Sequence, residues 1–375
     1  MLIYIHVPFC RRKCHYCAFY SVKHSPEAEA VYLKALAKEL ELRAEYAGTA
    51  KVYSLYMGGG TPTILSAEAL EWLFNQVHAH FRPATGLEVT MEVNPETVTS
   101  RDLPARLLSM GVNRISLGVQ SFENGLLSMA GRRHTAEQAV KSAARFQEAG
   151  LDNLSLDLIW GLPGQTRKMW LDDLRKAVRM GPRHISCYGL SLEPETVLHS
   201  QVQNRVLELP REKEQALMYL EGAEYLESRG FLQYEISSFA SLGYACLHNQ
   251  GYWQGRDYLG LGPSGVSCVN MVRWRNPASI RDYGLAASRD FSGLELERLT
   301  KRDLSREKVM LSLRTTLGLN LREYREMTGQ NFCSRFREMI KVLHQNGLVR
   351  MANGYFRLTR TGMLVSNSII ERLIA

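Results

Sequence analysis

Short apolar runs alternate with longer amphipathic stretches along the first 230 positions of the chain. The runs at 2–7, 52–57, 87–93, 114–119, 154–160 and 185–192 predict strands. Several are apolar on both faces, as parallel strands buried between two layers are. The stretches at 27–47, 67–81, 101–110, 135–149, 168–180 and 211–229 predict helices. Gly111 and Gly150 stand just past the third and fourth, where glycine ends a helix. Six strands each followed by a helix describe an α/β protein with a parallel sheet. The sheet is either curled into a partial barrel or flat and doubly wound, and the alternation fits both.

Past 230 the rhythm breaks. Residues 231–290 are rich in glycine and aromatics without clear periodicity, and read as a connecting region. Residues 306–317, 321–327 and 335–345 predict helices, and 347–351 and 355–358 flank Ala352-Asn353-Gly354, a hairpin signal. Helices closed by a small hairpin predict a winged-helix-like α+β domain over 291–375. The expected units are therefore 1–230, 231–290 and 291–375.

Composition narrows the class. A chain of 375 residues, 45% hydrophobic and 22% charged, reads as a globular protein of two domains. No apolar run reaches the roughly 20 residues of a membrane span. The apolar start, Met1 to Phe9, carries His6 and Pro8 without a basic leader, so no export signal is read there. Seven cysteines are too sparse for a disulfide framework, and together these features point to the cytoplasm. The net charge of +8 suits an anionic partner such as phosphate, nucleic acid, a carboxylate-bearing pigment or an acidic membrane surface, the last allowing peripheral association. No lysine- or arginine-rich block stands out, so the excess reads as spread along the chain. Arg335, Arg337 and Lys341 interleave with Phe336, Met339 and Ile340, as much a packing face as a groove reader, and nucleic acid is not favoured.

The chemistry concentrates in three cysteines. Cys10, Cys14 and Cys17 follow the first strand at spacing C-x3-C-x2-C. Three thiolates at that spacing can each hold one iron of a [4Fe–4S] cluster, leaving the fourth iron open. Phe19, where a fourth ligand would be sought, cannot bind iron. Zinc would call on His6 or His15, but a single C-x2-C pair and soft thiolate donors favour the cluster. Cys187, Cys246, Cys268 and Cys333 are scattered singly and read as buried structural thiols. Polar residues gather where the other strands end: Gly58-Gly59-Gly60-Thr61-Pro62-Thr63, Glu92 and Asn94, Gln120 and Ser121, and Asp157 ahead of Gly161-Leu162-Pro163. Carboxyl ends of parallel strands are where such folds place their sites.

The cysteine motif followed by a glycine triplet after the next strand resembles the radical S-adenosylmethionine superfamily. Tyr4-Ile5-His6-Val7-Pro8-Phe9-Cys10, Gly118-Val119-Gln120-Ser121-Phe122 and Asp157-Leu158-Ile159-Trp160-Gly161-Leu162-Pro163 are similar to its oxygen-independent coproporphyrinogen III dehydrogenase branch over nearly the whole chain. The resemblance implies a partial (β/α)6 barrel and S-adenosylmethionine chelated at the open iron. It further implies that Tyr4, Tyr16, Gly59, Gly60, Thr61, Glu92, Gln120, Arg132 and Asp157 surround that cofactor. The dehydrogenase proper is expected to carry a further cysteine at the position of Phe19 and an extension before the cysteines, for which Cys10 leaves no room here. His248-Asn249-Gln250-Gly251-Tyr252-Trp253, by itself a loop with a capping Asn, resembles the H-N-x-x-Y-W motif of the haem-chaperone subfamily of the branch. That subfamily implies haem as a ligand with His248 as the candidate axial residue. It also implies delivery to acceptor haemoproteins, among them membrane-bound respiratory enzymes, and a homodimer regulated by the cluster. Oxidative decarboxylation of a porphyrinogen is the alternative reading.

Overall fold

A computed structural model describes residues 1–374. The first six strands are β1 (Leu2–Val7), β2 (Lys51–Gly59), β3 (Arg82–Val93), β4 (Arg114–Gln120), β5 (Leu154–Trp160) and β6 (His184–Gly189). They are joined by helices that include α1 (Pro26–Ala47), α2 (Ala67–His80), α3 (Leu103–Ser109), α4 (Asn124–Met129), α5 (Ala136–Glu148) and α6 (Arg167–Arg179). α7 (Val197–Gln203) and α8 (Glu212–Ser228) follow β6. The expected strands and long helices match these to within a few residues, apart from the beginning of β3; α4 and α7 are short and were not expected. All six strands run parallel in sequence order.

Residues 231–290, which showed no period, together with the short strand at 296–298, complete that sheet at both edges. β7 (Leu232–Gln233) and β8 (Ser238–Ala240) pair antiparallel beyond β6. At the other edge β9 (Tyr258–Leu261) lies parallel to β1, and β10 (Val266–Val269), β11 (Val272–Arg275) and β12 (Leu296–Arg298) add an antiparallel meander. The order is β12-β11-β10-β9-β1-β2-β3-β4-β5-β6-β8-β7, one mixed sheet of twelve strands with the six β/α strands of the partial barrel at its centre. These added strands are short, which is why no periodicity betrayed them.

The strands have two different faces. Ile3, Ile5, Leu55, Met57, Val89, Met91, Ile115, Leu117, Leu154, Leu156 and Ile185 belong to the main buried apolar cluster with the helices. The intervening positions are polar: Ser54 and Tyr56, Glu88, Thr90 and Glu92, Arg114 and Ser116, Ser155 and Asp157, His184 and Ser186. Because successive side chains point to opposite faces, these form a polar lumen inside an apolar wall.

The last part of the chain has its own core, built from Leu313, Tyr324, Phe332, Ile340, Phe356 and Ile369 among others. Helices at Lys301–Ser312, Leu321–Thr328 and Arg337–Gln345 precede the hairpin Val349–Ala352 and Tyr355–Leu358, which pairs with Leu319–Asn320 in a three-stranded sheet. This is the expected winged-helix-like arrangement. Its charge corrects the expectation of an evenly spread excess: residues 301–375 hold 14 Lys and Arg against 6 Asp and Glu, while residues 1–300 hold 32 of each. The whole +8 lies at this end, in single residues too scattered to form a visible block.

Candidate functional site

The cysteine loop leaves β1 through Phe9–Cys10, which pairs with Val22–Lys23 and so closes residues 11–21 into a loop. Cys10 Sγ lies 3.9 Å from Thr61 Oγ1, and Arg132 donates to Cys14 Sγ at 3.5 Å. Burial raises the Cys10 and Cys17 thiols above their ordinary range, and the neighbouring cysteines push each in the same direction. Three thiols that feel one another across a half-buried loop suit a cluster in which each meets a different iron. Among the described residues no three Cys, His, Asp or Glu side chains converge on a single ion. Phe19 stands 67% exposed beside this loop.

The glycine turn is locked against the same loop. Gly60 N–H donates to Val7 O at 2.9 Å and Thr61 N–H to Phe9 O at 2.7 Å. A Cβ at Gly60 would stand 2.5 Å from Phe9 O, so only glycine permits this approach. Gly59 takes a left-handed φ of 96° and packs on the His6 ring. Its N–H donates to Glu92 Oε2 at 3.0 Å, and Tyr56 O–H donates to Glu92 Oε1 at 2.9 Å. Burial raises the Glu92 carboxyl to about 7, and nearby Asp157 adds to the shift against the two hydrogen bonds. Asp157 itself accepts from Ser116 at 2.7 Å and Ser155 at 3.1 Å.

Gln120 ends β4 with φ 67°, a left-handed conformation at a bulge where the β4–β5 register shifts. Arg132 donates to Gly118 O at 2.6 Å, and its Nε is buried without a partner among the described residues. Tyr16 is half-buried near Cys14 and Arg132, and desolvation raises its hydroxyl. Tyr4 lies within the lumen, 3.1 Å from His6 Nδ1, with ring centroids 6.1 Å from Tyr56 and 6.4 Å from His248. The nine expected cofactor residues thus lie along the carboxyl ends of β1–β5 and the loops leaving them, apart from Tyr4, which lies deeper.

The H-N-x-x-Y-W segment sits elsewhere and in another form. It is a helix, α9 (Leu247–Trp253), and not a loop; Asn249 is internal to it. Its cap is Glu88 of β3, which accepts from Leu247 N–H at 3.0 Å and His248 N–H at 3.1 Å, with the Cys246 thiol at 3.5 Å. A carboxylate at a helix N-terminus satisfies orphan amides and the dipole together. Helix α9 therefore plugs the lumen toward the amino ends of the strands, opposite the cysteines. His248 is only 2% exposed; its Nδ1 lies 2.7 Å from Ser54 Oγ and its Nε2 has no partner among the described residues. The Tyr56 ring is 5.0 Å away and Tyr252 meets it edge-on at 4.8 Å. Burial and then Arg114 lower the imidazole to about 3, so it is neutral near pH 7. Burial also raises Cys246 to about 12, which keeps it a thiol.

Residues 4–177 match the Radical SAM superfamily and residues 299–365 the HemN C-terminal domain. The fold superposes on coproporphyrinogen III oxidase (HemN) from Escherichia coli with a TM-score of 0.85, covering 100% of this chain and 90% of that one at 24% identity. Fold and cysteine loop together define a radical SAM protein, a superfamily that implies a [4Fe–4S] cluster and S-adenosylmethionine. The chain is 35% identical to the heme chaperone HemW of Bacillus subtilis, over 98% of this chain and 97% of the relative. It is 32% identical to HemW of Lactococcus lactis over 99% and 96%, and 39% identical to that of Escherichia coli over 69% and 68%. It belongs to the HemW family.

Proposed function

We propose that the protein is a haem chaperone, binding haem and passing it to acceptor haemoproteins, including membrane-bound respiratory enzymes. Cys10, Cys14 and Cys17 hold the [4Fe–4S] cluster. Tyr4, Tyr16, Gly59, Gly60, Thr61, Glu92, Gln120, Arg132 and Asp157 hold S-adenosylmethionine, with Glu92 toward its ammonium and Arg132 toward its carboxylate. When bound, the cluster supplies the electron that reduces the sulfonium. In this reading the cofactor pair serves control of the chaperone, including dimerisation, and the protein lacks dehydrogenase activity. Residues 1–230 form the cofactor domain, 231–290 supply the haem motif and 291–375 add the basic winged-helix-like domain. The setting is the cytoplasm, with peripheral contact to the membrane. No helix among the described residues is long and apolar enough to cross one.

The observation that carries haem binding is His248. An axial ligand must be a neutral imidazole with one free nitrogen and the other fixed by a hydrogen bond. Ser54 fixes Nδ1 and leaves Nε2 unpartnered. At 2% exposure the ring is shut in, so haem reaches it only when α9 lifts from the lumen. The test is an absorption titration of the anaerobically reconstituted protein with haem. A Soret band that His248→Ala shifts or weakens is expected; no haem binding by the wild type refutes the reading. The intact polar site around Glu92 and Asp157 favours porphyrinogen oxidation as a second reading, which anaerobic turnover to protoporphyrinogen would establish.

A further inference from the structure

The lumen links two ends of the barrel that the chain separates widely. We infer that Tyr56 is a positioning residue joining them, its hydroxyl holding Glu92 toward the ammonium of S-adenosylmethionine while its ring seats His248. The inference rests on the cofactor reading above, which assigns Glu92. Tyr56 lies midway along β2, in register with Tyr4 of β1 and Thr90 of β3. Its O–H bonds Glu92 Oε1 at 2.9 Å, and the same carboxylate takes Gly59 N–H at 3.0 Å. That carboxylate also presses on the turn, since a Cβ at Gly58 would lie 2.6 Å from it. On its other side the Tyr56 ring lies 5.0 Å from His248 at an interplanar angle of 31°. His248 is moored in turn by Ser54 and by the Glu88 cap. Close-packed contacts shift as units and do not stretch, so lifting α9 removes the surface that orients Tyr56.

The groups facing Glu92 are Tyr4 from β1, Tyr56 and Gly59 from β2, Arg114 from β4, Asp157 from β5 and Tyr188 from β6. Burial keeps the carboxyl protonated up to about pH 7, and Tyr56 and Gly59 pull that midpoint down. An ammonium is held best by the ionised form, so cofactor affinity rises as pH climbs through this point. Without the Tyr56 hydroxyl the midpoint moves up.

The experiment is equilibrium dialysis of S-adenosylmethionine against the anaerobically reconstituted protein from pH 5.5 to 8.5. Tyr56→Phe is expected to weaken binding several-fold at pH 6 to 7, with the wild-type-to-variant ratio closing toward one by pH 8.5. Ionisation of the ligand affects both proteins alike and leaves that ratio untouched. A merely structural defect would hold the ratio constant with pH. Ser54→Ala and His248→Gln, remote from Glu92, should move the profile in the same direction, and Glu92→Gln should flatten it. A Tyr56→Phe profile that superimposes on wild type overturns the inference. So do Ser54→Ala and His248→Gln profiles that both match wild type, because the two ends are then not joined. Wild-type binding without pH dependence overturns it while sparing the cofactor reading; no binding at all defeats that reading first.

Discussion

Glu88→Gln probes the joint between the haem motif and the barrel. Glu88 accepts two amide hydrogen bonds from the first turn of α9 and faces the Cys246 thiol. A hydrogen bond to a charged group contributes about 1.5–3 kcal/mol, against about 1 for a neutral one. The glutamine carbonyl can keep one amide bond at neutral strength and loses the other, along with the charge that complements the helix dipole, itself about 0.3–1 kcal/mol. Together these give roughly 2–6 kcal/mol, and at 1.4 kcal/mol per decade that is at least about 30-fold in local opening. Anaerobic hydrogen–deuterium exchange of a peptide covering 247–253 measures this directly. Exchange there should accelerate by that factor, while a peptide from the helix Ile280–Ala287 is unchanged. Acceleration of less than about threefold would show that α9 is held by its apolar contacts and not by its cap, and the plug account would fail.

Gly60→Ala places a methyl 2.5 Å from Phe9 O and 2.7 Å from Val7 O, both rigid backbone, and should abolish the brown absorbance of the reconstituted cluster even with all three cysteines present. Three buried histidines should each disfavour the fold in acid, because His134 and His248 are lowered to about 3 and His184 well below its ordinary value, each chiefly by burial. The unfolded chain binds protons on these rings below about pH 6.5 and the folded one does not. The stability they contribute is complete above that pH and is lost as it falls toward 3, at about 1.4 kcal/mol per unit for each ring. The raised Glu92 carboxyl acts the other way, so the check is a difference: in thermal melts at pH 7.5, 6.5 and 5.5, His248→Gln should lose less stability on acidification than the wild type.

Much of this was legible in the chain. The β/α rhythm identified the first six parallel strands, because strands buried on both sides and long amphipathic helices leave strong periods; it missed the seventh, β9. The C-x3-C-x2-C spacing and the glycine triplet marked the loops that meet at the strand ends. A signal for the lumen was also present: Ser54 and Tyr56, Glu88, Thr90 and Glu92, Arg114 and Ser116, Ser155 and Asp157 repeat at period two within runs otherwise apolar. Reading these strands as apolar on both faces passed over it, and with it Tyr56, Glu88 and Arg114.

The amino-acid sequence by itself determined the local chemistry: which residues can ligate iron, where glycine must stand, and which stretches form strands and helices. Those properties reside in side-chain type and short-range spacing. Tertiary structure decided what faces what. It turned an apparent loop into a helix capped by a residue some 160 positions earlier, buried His248 at the mouth away from the cysteines, and aligned it through Tyr56 with Glu92. Such pairings follow from strand register and strand order, which depend on the whole set of contacts and on no single segment.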